Sequence, residues 1–210
     1  MENLSTATCG TFLEELASKQ SAPGGGAASA LCGAVAAALT SMLANLTVGK
    51  AGSGEQEEQA AEIIAKAYRL RLKLAVLADD DATVFKAFMA AYKLPKTTDD
   101  EKTVRATAIQ QAAKNAAEVP MQIADNALEV LKLTRQLITF GNPNAISDGT
   151  VAAIVARAAL RSALYNVKIN LGLIKDRAYV TAARDKMQQL EARAMEIEAF
   201  VLARTDEILK

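Results

Sequence analysis

Apolar residues recur at helical spacing along most of the chain, and turn or capping signals divide them into segments. Leu4, Phe12, Leu13 and Leu16, with Glu14 and Glu15 on the other side, predict a first amphipathic helix over residues 3–19. Residues 20–26 connect it to a second helix, 27–48, ended by Gly49. Residues 50–54 read as a short loop, in which Ser53 and Gln56 match a capping box. The third helix, 55–92, carries an apolar stripe through Ile63, Ala67, Leu70, Leu74, Leu77, Val84, Phe85 and Phe88. Leu94 and Pro95 break it, and Thr98 with Glu101 opens a fourth helix that is ended or kinked at Pro120 and continues through Leu137. A fifth helix covers 150–173, and Asp176 caps a sixth whose apolar positions include Met187, Leu190, Met195, Ile197 and Val201. The expectation is an all-α fold, a bundle of about five or six long helices around one central helix, in a single domain over 1–210.

The central helix is the second. Residues 23–49, PGGGAASALCGAVAAALTSMLANLTVG, contain no charge and are dominated by small side chains, which let neighbouring backbones approach closely. Length alone would allow a membrane span. Ser29, Thr40, Ser41, Asn45 and Thr47, the low leucine content and the lack of flanking Lys or Arg clusters argue for a buried helix instead. Pro23 is followed by Gly24, Gly25 and Gly26, and three glycines weaken a helix start by roughly 1 kcal/mol each against alanine. One reading is a tight loop feeding a buried helix. The other is a ligand site, in which missing Cβ atoms open the helix N-terminus and its free N–H groups to a ligand's oxygens or ring edge.

Composition narrows the chemistry. The 24 basic and 24 acidic residues of the 210 balance, so no field of one sign points to nucleic acid or an anionic membrane. Apolar residues reach 51% and aromatics 4%, which excludes a disordered chain and suits alanine-rich helices. Cys9 and Cys32 are too few for a disulfide framework, and MENLSTATCG has neither the basic nor the apolar region of a signal peptide, so a cytoplasmic location is expected. There is no histidine, which removes Ser-His-Asp and Cys-His catalysis and every His-based zinc site. Carboxylates, lysine, amides, hydroxyls and backbone dipoles remain.

Three places hold more polar chemistry than folding asks for. In the run Asp79, Asp80, Asp81 only the third falls on the apolar stripe, and the first two are expected in solvent. A buried Asp81 needs an Arg or Lys partner, a hydrogen bond or a raised pKa. The segment GNPNAISDG, 141–149, precedes an alanine-rich helix; capping accounts for Ser147 or Asn144, leaving a surplus of Asn and Asp as site candidates. Asn166 and Asn170 stand four apart on one helix face, where two amides can hold a polar edge or bond a neighbouring helix.

Together these stretches resemble the cyclodeaminase/cyclohydrolase family of tetrahydrofolate enzymes. The matching pieces are SAPGGGAASA (21–30), NLTVGK (45–50), DDDATVFKAFMAAYKLPKTTDDEK (79–102), EVP (118–120), GNPNAISDGTVAA (141–153) and ALYNVKINL (163–171), in the family's order. The resemblance implies a homodimer or higher assembly with a folate site at the subunit interface, and no cofactor or metal beyond the tetrahydrofolate substrate. It implies that Pro23, Gly24, Gly25, Gly26, Asn142, Asn144, Ser147, Asn166 and Asn170 bind substrate, and that Asp81, Asp148 and Lys50 supply acid, base or charge. The chain departs from many members at Ala51, Gly52 and Ser53, where they carry a basic or aromatic run, and at Ala27, where they have serine. The implied activity is hydrolysis of 5,10-methenyltetrahydrofolate to 10-formyltetrahydrofolate. The alternatives are cyclodeamination of 5-formiminotetrahydrofolate and a non-catalytic helical dimer or folate-binding scaffold.

Overall fold

A computed structural model describes residues 4–50 and 52–210. Among these the chain forms α1 (Cys9–Leu16), α2 (Gly25–Thr47), α3 (Gly54–Tyr92), α4 (Asp99–Leu137), α5 (Ile146–Leu171) and α6 (Arg177–Ile208), with a 3-10 turn at Pro143–Ala145 and no strand. Residues 1–3, at the expected start of the first helix, and residue 51 in the expected loop lie outside the described residues. Short connections make successive long helices antiparallel, so α2, α4 and α6 run one way and α3 and α5 the other. The all-α bundle expected from the sequence is the observed fold.

The small side chains of α2 do what their size allows. It packs between α3 and α5 with α4 beneath it, and Ala27, Ala30, Ala36, Ala37 and Ala44 are wholly buried. A Cβ on Gly33 would already sit 3.1 Å from Leu74 Cδ2, so this crossing is set by the absence of a side chain. Further along α2, the hydroxyls of Thr40 and Thr134 meet at 2.8 Å between α2 and α4, each also within reach of the carbonyl four residues back in its own helix, so one donates across the interface and the other to its own helix. Polar atoms inside this core are thereby satisfied without charge. By length and hydropathy α2 could cross a membrane, yet 56% of its most apolar stretch is buried within the bundle. Its remaining side is open: Val35 (53% exposed), Met42 and Leu46 lie there at helical spacing.

Local signals explain most helix ends. The capping box of Thr98 and Glu101 is present at α4, Ser53 caps α3, and Asp176 caps α6. Pro120 sits inside a continuous α4 and does not end it. Three expectations are corrected. The first helix is shorter than 3–19, because Thr8 caps it at Cys9 and the backbone N–H groups of Leu4 and Ser5 donate to Asp79. Asp79 is therefore not simply solvated; its carboxylate ties the N-terminal segment to α3. Finally, α5 begins at Ile146, four residues before the expected 150, so Ser147 and Asp148 lie in its first turn.

Candidate active site

The glycine run opens α2 at the bottom of the bundle. Gly24 is the residue before the first turn and offers no side-chain cap, and the Ala22–Pro23 peptide bond is cis. Capping comes from another helix: Asp81 of α3 accepts from the Ala27 backbone N–H through Oδ2 at 3.0 Å. The fit depends on Gly26, where a Cβ would fall 2.1 Å from Asp81 Oδ1. Burial pushes the Asp81 carboxyl above the usual aspartate range, and the Ala27 N–H partly offsets this. Among the described residues no Arg or Lys pairs with it, and the partner present is a backbone N–H.

Beside this carboxylate lies a cleft of about 350 Å³ between α2, α3, α4 and α5. Gly24, Gly25, Gly26, Asp81, Asn166 and Asn170 all line it, so six of the expected residues converge. Phe85 and Phe88, on the stripe that carries Asp81, give the lining its aromatic part, and Ala116 of α4 and Leu173 line it as well. Pro23 is buried next to the cleft. A Cβ on Gly25 would be 3.6 Å from both amide atoms of Asn166. The Nδ2 groups of both asparagines are engaged by backbone: Asn166 donates to Ser162 O at 3.0 Å, and Asn170 to Ala116 O at 2.8 Å and Asn166 O at 2.9 Å. Of the two readings of this pair, the bond to a neighbouring helix is present at Asn170, which also lines the cleft. Apolar walls with one buried carboxylate and a few amides make a pocket for a flat polar ring.

The other expected residues lie elsewhere in the chain. Twenty-three residues at 1.5 Å rise put the two ends of α2 roughly 33 Å apart, and Lys50, Asn142, Asn144, Ser147 and Asp148 gather at the far end. Asn142 is occupied there. Its backbone N–H donates to Thr47 Oγ1 at 3.0 Å, its Nδ2 to Leu46 O at 2.9 Å, and its Oδ1 accepts from Asn144 N at 3.1 Å. It caps the Pro143–Ala145 turn, whereas neither Ser147 nor Asn144 caps α5, which has no side-chain cap. This corrects the expected capping residue and makes Asn142 a fastening between α2 and the loop. Asn144, Ser147 and Lys50 are exposed and Asp148 is half-buried in the first turn of α5. Within one chain Asp81 and the glycines meet while Asn144 stands apart at the other end of α2.

Sequence reasoning missed Ala116 as a cleft residue, although Pro120 four positions later marked its carbonyl as lacking a helical partner. Phe85 and Phe88 were legible only as core. Among the described residues no group of three or more Cys, Asp or Glu side chains could hold a metal ion.

Comparison with known proteins agrees with the motifs. The family model described as formiminotransferase-cyclodeaminase matches residues 8–189. A methenyltetrahydrofolate cyclohydrolase from Methylorubrum extorquens is 43% identical over 193 residues, covering 92% of this chain and 91% of that protein. A formimidoyltransferase-cyclodeaminase from Sus scrofa is 33% identical over 196 residues, and the match spans 93% of this chain but only 36% of that longer protein. The crystal structure of formiminotetrahydrofolate cyclodeaminase from Thermotoga maritima superposes with a TM-score of 0.88 at 30% identity, covering 98% of both chains. With a family model matched across most of its length and the same helices in the same order, the chain belongs to the formiminotransferase-cyclodeaminase family.

Proposed function

We propose that this protein is a folate one-carbon enzyme that hydrolyses 5,10-methenyltetrahydrofolate to 10-formyltetrahydrofolate in the cytoplasm, with no cofactor or metal. The observation that carries the reading is Asp81: a half-buried carboxylate lining a mostly apolar cleft, held by one N–H and raised in pKa. Full-length similarity to a methenyltetrahydrofolate cyclohydrolase supports the choice of substrate.

The chemistry asks for little more. Water adds to the amidinium carbon between N5 and N10 and loses one proton, giving a neutral carbinol; as the C–N5 bond breaks, N5 takes up a proton and the carbinol hydroxyl loses its own, so the carbon stays on N10 as the formyl group and one net proton passes to solvent. Asp81 would accept the water's proton and return it to N5, a shuttle that works best when the carboxyl titrates closer to neutrality. As a carboxylate it would also attract the cationic bridge. Asn166, Asn170 and the glycine-opened end of α2 would hold the pterin between Phe85 and Phe88 and the opposite wall.

The finer reading is a homodimer with the site shared between copies. Lys50, Asn144, Ser147 and Asp148 sit at the end of α2 remote from Asp81, and the uncharged open face of α2 joins the two ends. Two copies packed antiparallel through Val35 and Met42, about a two-fold axis near the middle of α2, would carry one copy's Lys50 loop to the other copy's Asp81 cleft. Such a face, apolar and unpaired along a whole helix, is what a second copy would cover.

One observation favours a second reaction. The protein that superposes over 98% of its length is named a formiminotetrahydrofolate cyclodeaminase, and attack of N10 on a formimino carbon with loss of ammonia needs the same proton shuttle. Spectrophotometry separates the readings. Loss of methenyltetrahydrofolate absorbance on adding the protein supports hydrolysis, its appearance from 5-formiminotetrahydrofolate supports cyclodeamination, and neither change leaves a folate-binding scaffold.

A further inference from the structure

The proline inside α4 is connected to the cleft through the N–H it lacks. In a regular α-helix the N–H of residue 120 would donate to the carbonyl of residue 116, and Pro120 has none. The carbonyl of Ala116 is left open at a residue that is 7% exposed and lines the cleft. Asn170 fills the gap, its Nδ2 donating to Ala116 O at 2.8 Å while the second amide hydrogen reaches Asn166 O at 2.9 Å. With both hydrogens on carbonyl oxygens the carboxamide has one favourable orientation, because turning it over would set Oδ1 against two acceptors. The atom left over is Oδ1, an acceptor.

We propose that Pro120 is a positioning residue for substrate recognition: by leaving the Ala116 carbonyl open it locks the Asn170 amide, so that the cleft presents an acceptor and selects the N–H donor edge of a heterocycle. Asn166 is held by one such bond, Nδ2 to Ser162 O, with its amide against Gly25, so one of its two amide hydrogens stays uncommitted. With the Asp81 carboxylate the two amide oxygens make three acceptors in one cleft against one uncommitted amide hydrogen on Asn166, a balance that suits ring N–H and amino groups and a cation better than a ring edge of carbonyls. The proposal rests on the folate reading above, since a pterin offers such N–H and amino donors.

Pro120→Ala returns an N–H to residue 120, which competes for the Ala116 carbonyl and frees Asn170 to turn, without weakening the helix. With methenyltetrahydrofolate as substrate, Pro120→Ala and Asn170→Ala should each raise KM roughly tenfold, the size of one lost hydrogen bond, and the double variant should be no worse than the poorer single. KM effects that multiply, or a Pro120→Ala KM within about twofold of the parent's, would overturn the proposal. A second arm needs no turnover: exchange of the Asn170 carboxamide hydrogens with solvent, followed by NMR on the unliganded protein. It should be slow in the parent and at least about tenfold faster in Pro120→Ala. Equal rates would refute the lock. A parent protein inactive on either folate but showing this difference would refute the folate reading alone.

Discussion

Asp81 sits where two demands on one side chain meet. As an N-terminal cap for α2 it is favoured by the helix dipole and by the Ala27 N–H, and as a buried charge it is disfavoured by desolvation, which is the larger effect on its pKa. The folded chain thus holds the Asp81 proton to higher pH than the unfolded chain does, and stability falls as pH rises from the ordinary aspartate value through the raised one. Asp81→Asn keeps an acceptor for Ala27 and cannot ionise. Urea unfolding should find it more stable than the parent at neutral pH, with the advantage fading once the pH falls below the ordinary aspartate value; lower stability at pH 7 would contradict the assignment. Gly26→Ala tests the same contact from the other side. Alanine is a better helix former, yet its Cβ would fall 2.1 Å from Asp81 Oδ1, so the carboxylate must leave its place. Turnover should drop about a hundredfold, since misplacing a reacting group by an ångström has that effect, while the circular dichroism stays helical. The acid's direction was readable in the sequence because it fell on an apolar stripe. Its partner was not, because an acid awaiting an arginine and one awaiting a helix N-terminus leave the same trace in a single chain.

Helices were legible where capping chemistry and apolar period agreed, as at Thr98 and Glu101 or Ser53, and misread where a distant group competed. Asp79 takes the N–H groups of Leu4 and Ser5, which a single-helix pattern cannot anticipate. In the loop between α4 and α5 one residue, Asn142, is committed to the fold. Four polar residues there suggested ligand contacts, yet Asn142 spans α2 and the 3-10 turn with its amide and backbone and is only 7% exposed. Asn142→Ala should lower the unfolding free energy by about 1–3 kcal/mol, as buried partners are left unsatisfied, with kcat per folded molecule unchanged within about threefold. Asn144→Ala, at an exposed position two residues on, should leave the melting temperature alone and raise KM if the loop meets substrate. Calorimetry and initial rates on the two variants would separate fastening from binding, and the reverse pattern would exchange their roles.

At the scale of the molecule, the arrangement follows from the length of α2. A straight helix of 23 residues holds the Asp81 cleft and the Lys50 loop roughly 33 Å apart, and its uncharged outer face is the surface they share. The motifs gave the right set of elements but not their grouping, because spacing along a chain says nothing about which end of a long helix a loop returns to, or about a second copy. Val35→Glu, a charge on that face at a position 53% exposed, should convert the proposed dimer to a monomer in light scattering and remove turnover while the helical spectrum survives; an active monomer would confine the site to one chain. The account as a whole turns on the cleft that Asp81 faces. The most direct measurement is the rate at which the parent and Asp81→Asn proteins clear methenyltetrahydrofolate under identical conditions, each checked for intact helix content and assembly. A parent that hydrolyses it and a variant at least about a hundredfold slower are the expected result, and a variant that keeps the parent's rate would contradict it.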